Sequence, residues 1–479
     1  MMKERLAIDI GSGSEADRSD AMVLFGATGD LARKKLLPAL YGLSRSGQLG
    51  MPVIGVALSP WDDLRFRDHA REAVMEAVPA TDSAALDRML QSLQFVSGDY
   101  RRPSTFATLR ERLGRARHPL LYLAIPPSLF QPAVDGIARA HLNQGSRILV
   151  EKPFGRDLAS ARSLNRCLHS AFPEPAIYRI DHFLAKETVQ NLLVFRFANT
   201  LLEPVWNRHY VASVQVTLPE AFGVEGRGAF YEEVGAIRDV VQNHLLQVVA
   251  LLAMEPPVGV DSEALRDEKV KLLRAVRPLD PGLLLRGQYR GYRDEPGVRT
   301  DSQVETFAAL RLEIESWRWA GVPFFVRTGK RLPTTALEAV VEFRRPPRML
   351  FSDPSEAAPH PNHLRFRLDG EGGGGVDLAL QAKLPGATTK TAAVNLSFTF
   401  QQSFGERGLH AYERLLGDAI AGRAALFARQ DGVEEEWRIV APALEAPGPT
   451  RRYEPGSWGP KAPVPLPPSG WHQPESPRA

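Results

Sequence analysis

The chain has 479 residues, in which 59 lysines and arginines stand against 56 aspartates and glutamates, so the formal net charge is only +3. This length exceeds what one hydrophobic core usually serves, which predicts two domains and excludes a small disulfide-stapled protein. The near balance of charge excludes the domain-wide basic field that binds nucleic acid. Cys167 is the only cysteine, which excludes an intrachain disulfide and a metal site built from several cysteines.

The N-terminal segment and the apolar runs argue against secretion and against a membrane partner. Residues 1–20 are polar and acidic, without the apolar core of a signal peptide, and we expect them to be disordered. The longest strongly apolar run, residues 245–254, is far shorter than the roughly 20 residues that a membrane helix needs. We therefore expect a cytoplasmic protein.

Residues 21–180 alternate between strand-like and helix-like segments. Short apolar runs begin at Ala21, Pro52, Leu93, Pro119 and Arg147. Helix-like stretches such as 62–78 and 128–143 lie between them. This alternation is typical of crossover connections, and it predicts an α/β Rossmann domain with a doubly wound, mainly parallel sheet over residues 21–180.

Beyond about residue 200 the pattern changes to alternating or β-rich runs, most of them without helices between. These runs are 209–220, 306–316, 323–332, 336–344, 362–370, 376–384 and 393–400. Helical patterns precede and follow them, at 236–254 and 408–421. The pattern predicts an α+β domain with a large antiparallel sheet over residues 181–441.

Two low-complexity segments need a structural interpretation. The glycine run at 370–375 lies between two strand-like runs rather than before a helix, which favours a hairpin loop over a phosphate loop. In residues 442–479, 11 of 38 residues are proline. We expect this tail to contain no regular helix or sheet.

The segment 26–32, GATGDLA, directly follows the first strand and opens a helix. Small residues there let the backbone approach a pyrophosphate at the helix N-terminus. A tight strand-to-helix turn would look the same on spacing alone, but its place at the head of the alternating series favours a dinucleotide cofactor. The second strand ends at Leu58, with neither the acid of an NAD site nor the arginine of an NADP site. The residues that follow closely could serve either cofactor: Asp62, Asp63, Arg65 and Arg67.

Lysine is scarce, since only 11 of the 59 basic residues are lysine. Five of them lie where strands end or where loops and helices begin: Lys34, Lys35, Lys152, Lys186 and Lys330. The compact ammonium suits a phosphate oxygen or a sugar hydroxyl in a crowded pocket. Solvated surface positions are the alternative for any one of them.

Two histidines stand in positions that fit acid/base chemistry. Asp181 and His182 follow the strand-like residues 176–180, where an α/β sheet binds ligands. His244 lies on a helix with a core-facing side, where a lone histidine is more often structural. A carboxylate partner would fix its tautomer and raise its basicity, as a general base for a hydroxyl proton requires.

Taken together, these motifs resemble the glucose-6-phosphate dehydrogenase family from about residue 20 to about residue 460. The matching stretches are GATGDLARKKLLP, EKPFG, RIDHFLAKE, PEAFGVEGRGAFYEEVGAIRDVVQNHLLQ, RTGK and YEPGSWGP. The resemblance implies a homodimer or homotetramer that oxidises C1 of glucose 6-phosphate to a lactone, the entry step of the pentose phosphate pathway. Hydride would pass to NADP or NAD, and no metal is needed.

By the same resemblance, His244 is the general base and Asp181 is its carboxylate partner. Lys152 would lie between the sugar and the nicotinamide. The 6-phosphate would bind to His182 and Lys186, and the sugar hydroxyls to Glu220, Asp239 and Lys330. The cofactor would bind to Gly26, Thr28, Gly29, Leu31, Asp99, Tyr100 and Lys152.

Five positions depart from the family pattern. Phe183 stands for a usual tyrosine, Ala185 for a glycine, Thr335 for a lysine or arginine, Asp369 for a glutamine, and Leu58 for the arginine that accepts the 2′-phosphate. We therefore expect a cofactor preference that is relaxed or shifted toward NAD. The alternatives are a dehydrogenase of another aldose phosphate and a non-catalytic, cofactor-sensing regulator. The presence of Asp181, His244 and Lys152 together argues against the regulator.

Overall fold

The computed structural model describes residues 17–347, 361–369, 374–386, 389–405, 409–461 and 467–474. The chain divides into two compact units. The first comprises Met1–Ala185, Pro257–Asp267 and Leu409–Glu434, and the second comprises Lys186–Pro256, Glu268–Gly408 and Glu435–Ala479. Among the described residues, no helix is both long enough and apolar enough to cross a membrane.

The first unit contains a seven-stranded sheet. Its strands are β1 (Ala21–Phe25), β2 (Val53–Ala57), β3 (Leu93–Ser97), β4 (Pro119–Leu123), β5 (Arg147–Val150), β6 (Ile177–Ile180) and β15 (Phe427–Ala428). In space they are ordered β15-β6-β5-β4-β1-β2-β3. All pairs are parallel except β15 with β6. The predicted Rossmann-type, mainly parallel sheet is confirmed, and its parallel strands all end at one edge.

Helices connect these strands. They are α1 (Leu37–Arg45), α2 (Asp63–Ala77), α3 (Ser83–Ser92), α4 (Pro103–Leu113), α5 (Phe130–Arg139), α6 (Leu158–His169) and α12 (Ala411–Ile420), and a π-helical segment, Ala32–Leu36, precedes α1. β1 is apolar throughout and all five of its residues are buried, which is typical of a strand covered on both faces. α2 begins where the Asp62 carboxylate accepts a hydrogen bond from the Arg65 backbone N–H at 2.8 Å.

The second unit contains a nine-stranded sheet. Its strands are β7 (Val211–Pro219), β8 (Leu284–Tyr289), β9 (Phe307–Glu313), β10 (Pro323–Gly329), β11 (Glu338–Phe343), β12 (His363–Arg367), β13 (Gly375–Lys383), β14 (Thr391–Thr399) and β16 (Thr450–Tyr453). The spatial order is β14-β13-β12-β11-β7-β10-β9-β8-β16. The predicted large antiparallel sheet is confirmed, with two parallel pairs, β10 with β7 and β16 with β8.

Helices of the second unit include α7 (Glu187–Phe197), α8 (Gly228–Ala236), α9 (Leu246–Ala253) and α11 (Phe400–Phe404). A π-helical segment, Ile237–Leu245, lies between α8 and α9. Helices α10 (Ser262–Ala275) and α13 (Gln430–Glu445) each contribute residues to both units. The α9 helix is buried along its whole length and is apolar except for Gln247, which makes it a core helix.

The composition of the first unit differs from the predicted domain at 21–180. Pro257–Asp267 and Leu409–Glu434, which the sequence placed in the second domain, group with the first unit. The physical reason is that α12 packs against α1 and β15 extends the parallel sheet beside β6. Of the N-terminal segment 1–20, residues 1–16 lie outside the described part of the chain. Ser19 donates its backbone N–H to the Ile420 carbonyl at 2.8 Å.

The proline-rich tail is more ordered than predicted. The expectation that it contains no regular structure is wrong at two places. Helix α13 continues through Pro442 to Glu445, and Thr450–Tyr453 pairs in parallel with β8 as strand β16. Pro449 and Pro455 flank this strand rather than interrupt it, and an edge strand needs hydrogen-bond donors on one side only. In the glycine run, residues 370–373 lie outside the described residues, and the flanking strands β12 and β13 pair antiparallel.

Candidate active site

The predicted cofactor turn follows β1 in the first unit. Gly26 has φ +80°, and a Cβ there would come within 2.2 Å of the Ala124 carbonyl oxygen, so only glycine fits. Gly26 donates its N–H to the Tyr100 hydroxyl at 2.9 Å, and this hydroxyl donates to the Val56 carbonyl at 2.9 Å. Burial raises the pKa of Tyr100 to about 12, so the phenol stays protonated. Tyr100 therefore ties together the carboxyl ends of β1 and β2.

The other residues predicted to bind the cofactor lie close to this turn or just after β3. The Thr28 hydroxyl accepts a hydrogen bond from Ser59 at 3.2 Å, which links the residues that follow β1 and β2. The Asp99 carboxylate accepts the Arg101 backbone N–H at 2.9 Å. The full set lies at the edge where a doubly wound sheet binds ligands: Gly26, Thr28, Gly29, Leu31, Asp99 and Tyr100. A dinucleotide bound here would place its pyrophosphate at this strand-to-helix turn.

The residues after β2 bear on cofactor choice. Leu58 is 72% exposed and offers no charge. Arg67 donates Nε to the Leu93 carbonyl at 3.1 Å, so its guanidinium is held against β3. The Arg65 guanidinium is exposed and lies over the Trp61 ring, 5.8 Å from its centroid. Of the two arginines after β2, Arg65 is therefore the one whose guanidinium is more accessible to a bound ligand.

Two of the lysines highlighted by the sequence lie on the surface. Lys34 and Lys35 are exposed in the π-helical segment that follows the glycine turn. The Lys34 ammonium lies 3.1 Å from the Asp30 carboxylate, in an ion pair that is itself exposed. Lys34 and Lys35 are therefore solvated surface residues, which was the alternative to a place in a crowded pocket.

Lys152 follows β5, and its peptide bond to Pro153 is cis. The preceding residue, Glu151, is anchored by tyrosines. The Tyr122 hydroxyl donates to Glu151 Oε1 at 2.5 Å, and Tyr412 on α12 also hydrogen-bonds this carboxyl. Burial raises the pKa of Glu151 although both tyrosine hydrogen bonds lower it. Sequence reasoning missed this cluster, because Tyr412 lies far along the chain with no local motif to connect it.

Asp181 and His182 follow β6. Asp181 is only 3% exposed, and its Oδ1 accepts the Phe183 backbone N–H at 2.9 Å, which fixes the carboxylate. The His182 ring packs edge-on against Phe183, with centroids 4.9 Å apart, and lies nearly parallel to Tyr412 at 6.2 Å. The same tyrosine therefore contacts both the Glu151 carboxyl and the His182 ring.

In the second unit, the π-helical segment carries Asp239 and His244. His244 is 3% exposed, and its backbone N–H donates to Asn243 Oδ1 at 2.6 Å. The sequence predicts an ordinary helix here, whereas the structure has a wider π turn, a departure that is frequent at functional sites. Lys186 is half-buried and forms the N-cap of α7.

Glu220 and Lys330 are brought together by strand direction. β7 and β10 are parallel neighbours, with Pro219 opposite Gly329, so the residues that follow them lie side by side. The Lys330 Nζ lies 2.6 Å from Glu220 Oε2. Lys330 is 7% exposed, and its ammonium lies 4.8 Å from the Phe222 ring centroid and 5.5 Å from that of Tyr231. Sequence reasoning missed both aromatic residues.

Two positions that depart from the family pattern have defined surroundings in this unit. The Thr335 hydroxyl accepts the Ala221 backbone N–H at 2.9 Å, so it supports the loop next to Glu220 but supplies no positive charge. Burial is the main cause that raises the pKa of Glu338 to about 7, and the nearby Asp369 carboxylate also raises it.

Comparisons with known proteins cover both parts of the chain. Residues 23–191 match the family model for the NAD binding domain of glucose-6-phosphate dehydrogenase, and residues 193–466 match the model for its C-terminal domain. Glucose-6-phosphate 1-dehydrogenase 1 of Mycobacterium tuberculosis is 44% identical over 98% of this chain and 99% of its own length. Glucose-6-phosphate 1-dehydrogenase of Aggregatibacter actinomycetemcomitans is 41% identical over 92% of this chain and 94% of its own.

Solved structures agree with these matches. The crystal structure of glucose-6-phosphate 1-dehydrogenase from Mycobacterium avium superposes with a TM-score of 0.88 at 44% identity, covering 96% of this chain and 100% of that chain. A glucose-6-phosphate dehydrogenase in complex with its substrate glucose-6-phosphate superposes with a TM-score of 0.86 at 36% identity, covering 93% of this chain and 96% of that chain.

Proposed function

The chain belongs to the glucose-6-phosphate dehydrogenase family, and we propose its reaction on that basis. It oxidises C1 of glucose 6-phosphate to 6-phosphogluconolactone with hydride transfer to NADP or NAD, the first step of the oxidative pentose phosphate pathway. The observation that carries this conclusion is that the similarity extends over both the dinucleotide-binding part and the part that holds the Glu220–Lys330 pair.

His244 is the proposed general base. A histidine accepts a proton near neutral pH, and the C1 hydroxyl must lose its proton as the C1–H bond breaks. The nicotinamide of the bound cofactor supplies the hydride acceptor. Asp181 is the proposed carboxylate partner that stabilises the imidazolium. Its hydrogen bond from the Phe183 N–H holds the carboxylate in one orientation, which supports that role.

The remaining roles are proposed residue by residue. Lys330 and Glu220 orient the sugar hydroxyls, because a paired ammonium and carboxylate offer both donors and acceptors at fixed positions. Asp239 contributes a further acceptor. His182 and Lys186 bind the 6-phosphate, and Lys152 lies between the sugar and the nicotinamide. The cofactor residues are Gly26, Thr28, Gly29, Leu31, Asp99, Tyr100 and Lys152, and no metal takes part.

The cofactor preference is proposed to be relaxed or shifted toward NAD. Leu58 cannot pair with a 2′-phosphate, and Arg67 is already held by a backbone carbonyl. Initial rates with glucose 6-phosphate against NAD and NADP test substrate and cofactor together. A strong kinetic preference for NADP would contradict the proposal and would assign the charge to Arg65 or another group.

A dehydrogenase of another aldose phosphate is the second candidate function. It is favoured by Thr335, which uses its hydroxyl to support a loop, and by Asp369, which adds negative charge. A panel of sugars and sugar phosphates decides between the two, and glucose 6-phosphate as the best substrate would exclude the second candidate.

His244→Asn tests the assignment of the base. Turnover should disappear while sugar-phosphate binding, measured by calorimetry, remains. Unchanged turnover would mean that another residue takes the proton. For assembly we propose a cytoplasmic homodimer or homotetramer, with cofactor binding by the first unit and with substrate binding and dimerisation by the second unit. Sedimentation equilibrium measures the number of chains.

A further inference from the structure

We propose that Tyr453, on the C-terminal strand β16, is a positioning residue that fixes Lys330 for sugar binding. The inference rests on the proposed role of Lys330, and it assigns a function to the first residue of the YEPGSWGP stretch, for which the family resemblance implied no role. Tyr453 is 3% exposed, and its hydroxyl donates to the Lys330 backbone carbonyl at 2.6 Å.

The Lys330 backbone is held on both sides. Its N–H donates to the Thr306 carbonyl at 2.8 Å, and its carbonyl accepts the Tyr453 hydroxyl. The same hydroxyl lies 3.1 Å from Thr306 Oγ1. Among the described residues, the Tyr453 hydroxyl is the one hydrogen-bond donor to the Lys330 carbonyl. The tyrosine therefore supplies the hydrogen bond that fixes the peptide after Lys330.

That peptide leads directly into an unusual turn. Arg331 has φ +53°, a left-handed conformation that is uncommon for a residue with a side chain. Such a conformation persists only when the surrounding structure imposes it. Arg331 donates its N–H to the Phe222 carbonyl at 3.0 Å, and its carbonyl accepts the Gly456 N–H at 2.7 Å. The segment around β16 thus contributes two of the hydrogen bonds that hold Lys330 and Arg331.

The position of the backbone matters because a lysine side chain is flexible. Its four-carbon stem does not by itself place the ammonium. Here the ammonium lies 2.6 Å from Glu220 Oε2 and close to the Phe222 and Tyr231 rings. Loss of the hydrogen bond to the Lys330 carbonyl would let the backbone and the Cα of Lys330 shift. The ammonium would then spend part of the time away from Glu220.

Tyr453→Phe removes the hydroxyl and keeps the ring. The ring packs against Phe307, with centroids 5.6 Å apart, and against Tyr289 at 6.5 Å, so the packing survives the substitution. Tyr289→Phe is the matched control. Tyr289 is 3% exposed in the same cluster, but its hydroxyl donates to Glu295 at 3.1 Å rather than to Lys330.

The expected result in the holoenzyme is a KM for glucose 6-phosphate raised on the order of tenfold in Tyr453→Phe, as for one lost hydrogen bond at a buried carbonyl. The KM for the cofactor and kcat should stay within about twofold of the parent for a change confined to sugar binding. Tyr289→Phe should leave all three parameters unchanged. An unchanged KM for glucose 6-phosphate in Tyr453→Phe, or an equal rise in Tyr289→Phe, would overturn the proposal.

Two further measurements separate this inference from the proposed function. In a Lys330→Met background, Tyr453→Phe should add nothing to the KM, and an equal additional rise would overturn the inference. A crystal structure of Tyr453→Phe should show the Lys330 ammonium displaced from Glu220, and an unmoved ammonium would also overturn it. A displaced ammonium with an unchanged KM would overturn the inference through its premise, because it would refute the sugar-binding role of Lys330.

Discussion

Glu305→Ala is expected to destabilise the second unit strongly and to disturb the segment that carries His244. Arg286 Nη2 and Glu305 Oε2 are 2.6 Å apart, and both side chains are buried. The other carboxylate oxygen, Oε1, accepts the Ile237 N–H at 3.1 Å, where the π-helical segment begins. Removing the carboxylate leaves a buried guanidinium without its ion-pair partner and an orphaned N–H at the segment start.

The magnitude follows from these two losses. Removing one partner of a buried ion pair costs about 3–5 kcal/mol, and loss of a helix cap adds about 1 kcal/mol. For a unit of roughly 250 residues, each kcal/mol lowers the Tm by about 2–4 °C, so a loss of about 4–6 kcal/mol gives an expected fall of about 8–24 °C. Glu305→Gln keeps an acceptor for the Ile237 N–H, and so it should cost less than Glu305→Ala.

The assay is thermal unfolding followed by circular dichroism, together with kcat at 25 °C. Glu454→Ala is the control, because the Arg290–Glu454 pair is also close, at 2.6 Å, but both side chains are 65% exposed. Exposed pairs contribute only about 0–1 kcal/mol, so the control Tm should change by no more than about 4 °C. Equal shifts for Glu305→Ala and Glu454→Ala would refute the reasoning that burial makes the difference.

Three further substitutions or conditions have defined outcomes. Gly26→Ala should abolish cofactor binding in a fluorescence titration, because its Cβ would overlap a backbone carbonyl, and retained affinity would contradict the steric argument. Leu58→Arg should raise the ratio of kcat/KM for NADP over NAD on the order of tenfold or more, since a hydrogen bond to a charged group contributes about 1.5–3 kcal/mol. Burial alone would raise the pKa of Glu342, but hydrogen bonds from His472 and Ser469 lower it overall. Because the folded-state pKa is depressed, this stabilisation is present above the ordinary pKa of 4.5 and is lost as the pH falls below it. Proteolysis of residues 467–474 should therefore accelerate below pH 4.5. A proteolysis rate independent of pH would contradict the assignment.

Local sequence patterns predicted the elements of the first unit well, because each buried strand is a short apolar run between helices. They predicted the strands of the second sheet but not their order, since pairing between distant strands leaves no local trace. The parallel neighbours β7 and β10 were therefore unforeseen, and with them the contact between Glu220 and Lys330.

The supporting residues of the site were the hardest to predict. Tyr412 lies in no recognised motif, and Tyr453 opens the YEPGSWGP stretch without a local sign of its partner. Their contacts arise only when α12 and β16 return to strands formed much earlier in the chain. The wider turn around His244 was also missed, because its apolar spacing fits an α-helix nearly as well as a π-helix.

The return of β16 to the sheet has a consequence for synthesis. Tyr453 follows Lys330 by 123 positions, so a chain emerging from the ribosome lacks the hydroxyl that fixes this lysine until almost the whole sequence has been made. A premature stop codon just upstream of residue 450 would therefore yield a chain that carries every strand except β16 but lacks the hydroxyl that binds the Lys330 carbonyl. If Lys330 binds the sugar as proposed, such truncated chains should lose affinity for glucose 6-phosphate while keeping most of their secondary structure.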